Sequence, residues 1–210
     1  MTNPRRALVV IDVQRDYFGG PLEIQYPMHT DSIPMITSAM DAAMAAGIPV
    51  VVVQHTSGEG ALIFDPSQPG FELHPDIESR RAPSWKMIVK QYGSVFADTD
   101  LAEWLRDEGV DTVTFVGYMT NNCVLASAVE AEGLGLTAEV LSDATGAVNL
   151  ANEAGFADAK AVHTTLMTLL HSNWAAVTDT ATWKNAMAAS IPLPKGDLDT
   201  SAVQGAQHAG

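Results

Sequence analysis

The chain has 210 residues, a length that suits one domain with a full hydrophobic core. Its formal net charge of -14 argues against a nucleic-acid backbone or an anionic membrane surface as partner, and favours a neutral, cationic or small substrate. A single cysteine, Cys123, excludes an internal disulfide and gives no sign of an oxidising compartment.

The N-terminal stretch "MTNPRRALVVIDVQ" is basic and then apolar, but Asp12 interrupts the apolar run and no small-residue cleavage site follows. With no segment of membrane-spanning length, the expectation is a cytoplasmic globular protein. Ala7 to Ile11 reads as a strand buried on both faces. Met28 to Thr30 reads as irregular. Ile33 to Ala46 has helical apolar spacing, and Gly47 caps it. Ile48 to Val53 is a second buried strand. Thr56 to Ala82 is irregular and rich in Gly, Pro and Ser, the kind of insertion that often forms an active-site lid. Lys86 to Val89 is a short strand, Leu101 to Glu108 a helix stopped by Gly109, and Thr112 to Val116 a strand. Val124 to Leu134 is helical, Thr137 to Leu141 a strand, Glu153 to His171 a helix, and Ala175 to Val177 a last short strand. Residues 1–190 are expected to form one domain. Residues 191–210, rich in Pro, Gly, Gln, Asp and Ala, read as a flexible tail or an oligomer arm.

This alternation predicts an α/β fold: a mostly parallel sheet with helices on both faces. Ligands bind such sheets at the carboxyl ends of the strands. The polar residues there are Asp12, Gln54 and His55, Lys90, the loop from Gly117 to Cys123, and Asp143. Cys123 stands where a strand gives way to a helix, where free N–H groups and the helix dipole favour a thiolate and can receive an oxyanion. A small buried apolar residue is the plain structural alternative. Asp12 can serve as a turn cap, and Lys90 as a solvated surface lysine. Together, though, the three offer a nucleophile, a proton acceptor and a cation that orients it. Phosphate-binding glycine loops, a G-x-S-x-G elbow and H-E-x-x-H spacing are all missing from the sequence, and His55 and His74 read as loop residues rather than ligands.

The segments "ALVVIDVQRDYF", "IVKQYGSVFADTDLAEWLRDEGVDTVTFVGYMTNNCV" and "VLSDATGA" resemble the isochorismatase-like cysteine hydrolases, over about Arg6 to Val177. The combination of D-x-Q, K-x-x-x-S-x-F and G-x-x-T-x-x-C-V carries the resemblance. It implies a three-layer sandwich around a roughly six-stranded, mostly parallel sheet of the Rossmann-like, isochorismatase-like type. It also implies homodimers or homotetramers and a catalytic trio of Asp12, Lys90 and Cys123, with Lys86 the lesser candidate for the lysine. The oxyanion hole would be the backbone N–H groups of Met119 and Cys123, beside a cis peptide between Tyr118 and Met119. Nicotinamidases in the family carry a D-x-H metal site after the second strand. Here "VVVQHTSGEG" lacks its Asp, so neither a metal nor another cofactor is expected. Phe18, Tyr92 and Tyr118 are expected to wall a small pocket, with His55 and Asn121 as polar contacts. The implied activity is hydrolysis of a small molecule's amide-type C–N bond through a thioester. The alternatives are a non-catalytic binding or assembly protein, or an ether hydrolase of the isochorismate type.

Overall fold

Every residue of the first strand, Arg6–Ile11 (β1), is buried, and alternate residues feed two separate cores. Ala7, Val9 and Ile11 belong to one, Leu8 and Val10 to the other. A strand covered on both faces has no solvent side, hence its continuous apolar run. This computed structural model describes residues 3–208; the outermost two positions at each end of the expected domain and tail lie outside the described residues.

After β1 come α1 (His29–Ala45), β2 (Val50–His55), a single turn α2 (Pro75–Glu78) and β3 (Lys86–Lys90). Then follow α3 (Leu101–Asp107), β4 (Thr112–Tyr118), α4 (Leu125–Gly133) and β5 (Thr137–Gly146). A short antiparallel hairpin, β6 (Leu150–Asn152) with β7 (Gly155–Ala157), precedes α5 (Ala159–Asn173), β8 (Ala175–Thr178), α6 (Thr180–Ala188) and α7 (Leu198–Gln207). Six strands form a wholly parallel sheet in the order β3-β2-β1-β4-β5-β8. Buried residues of α3, α4 and α5 pack on one face, and those of α1 and α6 on the other. The result is the expected three-layer sandwich. Strand order reverses between β1 and β4, and the crevice at such a reversal is where a doubly wound sheet binds its ligand.

Two boundaries differ from the sequence reading for identifiable reasons. Glu153 to Ala157 is not helical. Asn152 Oδ1 accepts from the Ala154 N–H, Gly155 takes a φ of 141°, and together they turn the hairpin. The helix begins only after Asp158, whose carboxylate caps the Ala161 N–H. His29 and Thr30, read as irregular, form the first turn of α1. The sequence reading also missed α6 and α7, each started by an aspartate cap, Asp179 and Asp197. Trp183 of α6 is fully buried, and α7 lies against α5. Among the described residues no helix is long and apolar enough to cross a membrane.

Candidate active site

Three strands, β1, β4 and β3, each lead to one polar group of the site. β1 ends at Asp12, whose φ of 50° breaks the strand; Asp is among the few non-glycine residues that tolerate this conformation. The Asp12 N–H donates to the Val53 carbonyl at 2.9 Å, and its own carbonyl accepts from the Gln14 N–H at 2.8 Å, so its backbone is pinned. β4 reaches the same level at Gly117, paired with Ile11. A Cβ on Gly117 would lie 2.1 Å from the Ile11 carbonyl oxygen, so only glycine allows this approach beside Asp12. The chain then passes a cis peptide between Tyr118 and Met119. A π-helical turn, Thr120–Val124, carries Cys123 into α4.

Lys90 comes from β3, two strands away from β1, yet its ammonium lies among the other groups. Nζ is 2.7 Å from Asp12 Oδ2 and 3.2 Å from Cys123 Sγ. It also donates to the Tyr92 carbonyl at 3.0 Å and meets His55 Nδ1 at 3.2 Å. Asp12, Lys90 and Cys123 are all buried. Neither Asp12 oxygen has a well-aligned hydrogen bond, so the Asp12–Lys90 contact is a close ion pair and not an ideal hydrogen bond. Lys86, the lesser candidate, instead pairs with Asp100 at the surface.

Burial sets the electrostatics. It pushes the Cys123 thiol up to about 12; the Asp12 charge adds to the rise, and Lys90 opposes it. Burial also raises the Asp12 carboxyl, which Lys90 pulls back. The thiol is thus held towards its neutral form beside the close Asp12–Lys90 contact. At this helix start, desolvation and the Asp12 charge oppose the ionisation that Lys90 favours. His55 is lowered to about 4, by burial and then by Lys90, and stays neutral.

The other expected residues are distributed unevenly. His55 reaches the trio. Tyr92 contributes its carbonyl, while its ring is more than half exposed. The Tyr118 ring is fully buried in the core on the α1 and α6 face, with its hydroxyl 2.8 Å from Ser32 Oγ. Phe18 stacks with His74, His29 and Tyr118. Asn121 holds a buried Oδ1 with no hydrogen-bond partner among the described residues. Met119 accepts through its carbonyl from the N–H groups of Asn122 and Val124, which shapes the turn.

Several functional neighbours escaped the sequence reading. Tyr17, raised first by burial, also feels the charges of Asp12 and Cys123, and it packs between Phe64 and Tyr118. Gln14 brackets the His55 backbone, donating to its carbonyl at 3.0 Å and accepting from its N–H at 2.7 Å. Asp16 accepts from the Phe64 N–H at 2.6 Å and so ties the Thr56 to Ala82 loop to the site. A cavity of about 520 Å³ lined by Gln54, Phe71, Leu73 and Arg81 includes none of the trio. The thiol itself is 2% exposed.

Asp12, His55 and Cys123 have donor atoms within 4.8 Å of one another, a set that could ligate a metal. The Lys90 ammonium contacts all three. A cation is built into the position a metal would need, so these residues do not fit a metal.

The isochorismatase domain model matches residues 6–182. The fold superposes with a TM-score of 0.95 on the crystal structure of a candidate isochorismatase from Burkholderia xenovorans LB400, at 43% identity and with all of both chains covered. An uncharacterised isochorismatase family protein of Bacillus subtilis, YddQ, is 32% identical over 83% of this chain and 96% of its own. The nicotinamidase/pyrazinamidase of Mycobacterium tuberculosis is 31% identical over 69% of this chain and 88% of its own. With its six-stranded parallel sheet and a domain match spanning most of its length, the chain belongs to the isochorismatase family.

Proposed function

We propose that this protein is a cysteine-dependent hydrolase of a small molecule's amide-type C–N bond. One observation carries the reading: a buried lysine ammonium in contact with both a carboxylate and the chain's only thiol. The relationship to a nicotinamidase supports the bond type.

As Sγ attacks the substrate carbonyl, Asp12 takes the thiol proton. A C–S bond forms, and the carbonyl π pair moves to oxygen, received by the N–H groups of Met119 and Cys123. The oxyanion collapses and the C–N bond breaks. The leaving nitrogen takes the proton back from Asp12. Water then attacks the thioester, giving its proton to Asp12. The acid departs, and Asp12 returns the proton to the thiolate. Lys90 keeps Asp12 in its basic form and lowers the cost of negative charge on sulfur at each crossing. A neutral resting thiol suits this sequence, because proton transfer and attack are coupled.

The test is a panel of small primary amides, carbamoyl compounds and cyclic amides, assayed for released ammonia or ring opening. Activity lost in a folded Cys123→Ala variant supports the assignment. Hydrolysis by that variant at the wild-type rate refutes it.

A further inference from the structure

The nucleophile turn is tied to a histidine on a helix that contributes nothing to the trio. His163 lies in α5, 4% exposed, on the apolar stripe with Ala159, Met167 and Leu170. Its Nδ1 is 3.0 Å from Thr120 Oγ1, and Thr120 Oγ1 is in turn 3.0 Å from Thr145 Oγ1 of β5. All three side chains are buried. Thr120 opens the π-helical turn that ends at Val124. It stands directly after Met119 and three residues before Cys123, between the two N–H groups assigned to the oxyanion. The far end of the turn is held separately: Ser127 Oγ donates to the Cys123 carbonyl at 2.6 Å and accepts from the Val95 N–H at 3.0 Å.

We propose that His163 is a positioning residue: through Thr120 it fixes the Met119–Cys123 turn so that both N–H groups meet the developing oxyanion. The inference rests on the amidohydrolase reading above. A buried hydrogen-bond chain with two discrete partners holds backbone orientation better than packing alone, because leaving either hydroxyl unpaired is costly. Burial lowers His163 to about 4, so at neutral pH the ring is uncharged and Nδ1 can accept from Thr120. Oxyanion stabilisation is sensitive to such orientation, since donors act only at the right distance from the oxygen.

The experiment separates acylation from thiol reactivity. Acylation of Cys123 by p-nitrophenyl acetate passes through an oxyanion; alkylation by iodoacetamide does not. Thr120→Val and His163→Leu, isosteric or nearly so, should slow acylation at least about tenfold while alkylation stays within about twofold of wild type. His163→Asn keeps an acceptor near the Nδ1 position and should recover most of the acylation rate. The Thr120→Val/His163→Leu double variant should be no slower than either single one, because both remove the same link. Thermal unfolding of each variant reports whether the fold persists. The inference is overturned if Thr120→Val and His163→Leu acylate within twofold of wild type. It is equally overturned if alkylation falls in parallel with acylation, or if His163→Asn is no better than His163→Leu. A wild-type protein that is never acylated at Cys123 would instead refute the underlying hydrolase assignment, and the inference with it.

Discussion

Lys90 Nζ lies 2.7 Å from Asp12 Oδ2 although their strands are separated by β2. Neighbouring strands are about 4.8 Å apart, so the two strand ends stand roughly 10 Å apart, and the lysine stem and the Asp12 side chain close that gap between them. The stem crosses the end of β2, where His55 pairs in register with Lys90. Gln14, bracketing the His55 backbone, holds that crossing point.

Asp12 and Lys90 act on the thiol with opposite signs. Asp12 raises the Cys123 pKa and Lys90 lowers it. Asp12→Asn should therefore shift the iodoacetamide alkylation profile to lower pH, while Lys90→Ala shifts it higher. Both should lose about 10²-fold or more in turnover, since one lacks the base and the other the cation that keeps it basic. Parallel shifts in the two profiles would contradict these roles.

Chelation should leave activity unchanged. The Lys90 ammonium already contacts every member of the Asp12, His55 and Cys123 donor set. Activity that disappears on dialysis against a chelator and returns with zinc, iron or manganese would show a metal site elsewhere.

Tyr17, Tyr92 and Tyr118 should separate by role. Tyr17→Ala should reorder substrate preferences, because this ring lies within the field of the trio. Tyr118→Phe should cost about 1 kcal/mol of stability through the lost Ser32 bond, with the preference order kept. Tyr92→Ala should do little, because the carbonyl it contributes survives. Substrate ranking and urea unfolding on the three variants decide this.

Far from the site, the Arg6–Glu139 pair is buried on both sides, and Glu139 also accepts from Thr114 Oγ1 and Trp183 Nε1. Glu139→Ala strands a charge and two donors, so unfolding should be easier by about 3–5 kcal/mol. Cys123 alkylation by the folded fraction should not change. A midpoint shift under 1 kcal/mol would mean the network is solvated in a way its burial does not suggest.

Acid should weaken the fold through its buried histidines. His55 and His163 have folded-state values near 4 against 6.5 for the free side chain. Between those limits the unfolded chain binds protons that the native protein refuses, so stability is complete above about pH 6.5 and falls as pH drops toward 4. The thermal midpoint should decline across this window, and His163→Asn should flatten the decline.

The sheet was legible because strands buried on both faces write continuous apolar runs; strand-end position alone left Lys90 a surface lysine, and the motifs D-x-Q, K-x-x-x-S-x-F and G-x-x-T-x-x-C-V singled out Asp12, Lys90 and Cys123, which the fold brings together. The pocket was less legible. Tyr17 and Phe18 are adjacent in a turn, and nothing in the alternation of residues says which ring is buried against Phe64 and Tyr118. Tyr118 reads as a loop residue but continues β4 into the core. The Glu153 helix failed because apolar spacing was followed across Gly155 and Asp158, a turn and a cap. One signal was available and unused: His163 falls on the apolar stripe of its helix, where a polar ring needs a partner. The protonation state of the thiol was not legible, since it depends on burial assembled from the whole fold.

That protonation state bears on how the protein meets its surroundings. Peroxides and most electrophiles react with thiolates, not thiols. Burial pushes the Cys123 thiol up and leaves it 2% exposed, so such reagents should meet it slowly. Alkylation and oxidation of Cys123 should therefore both be slow at neutral pH and quicken as pH rises, and the protein should keep its activity through oxidative conditions that inactivate enzymes carrying a pre-ionised cysteine.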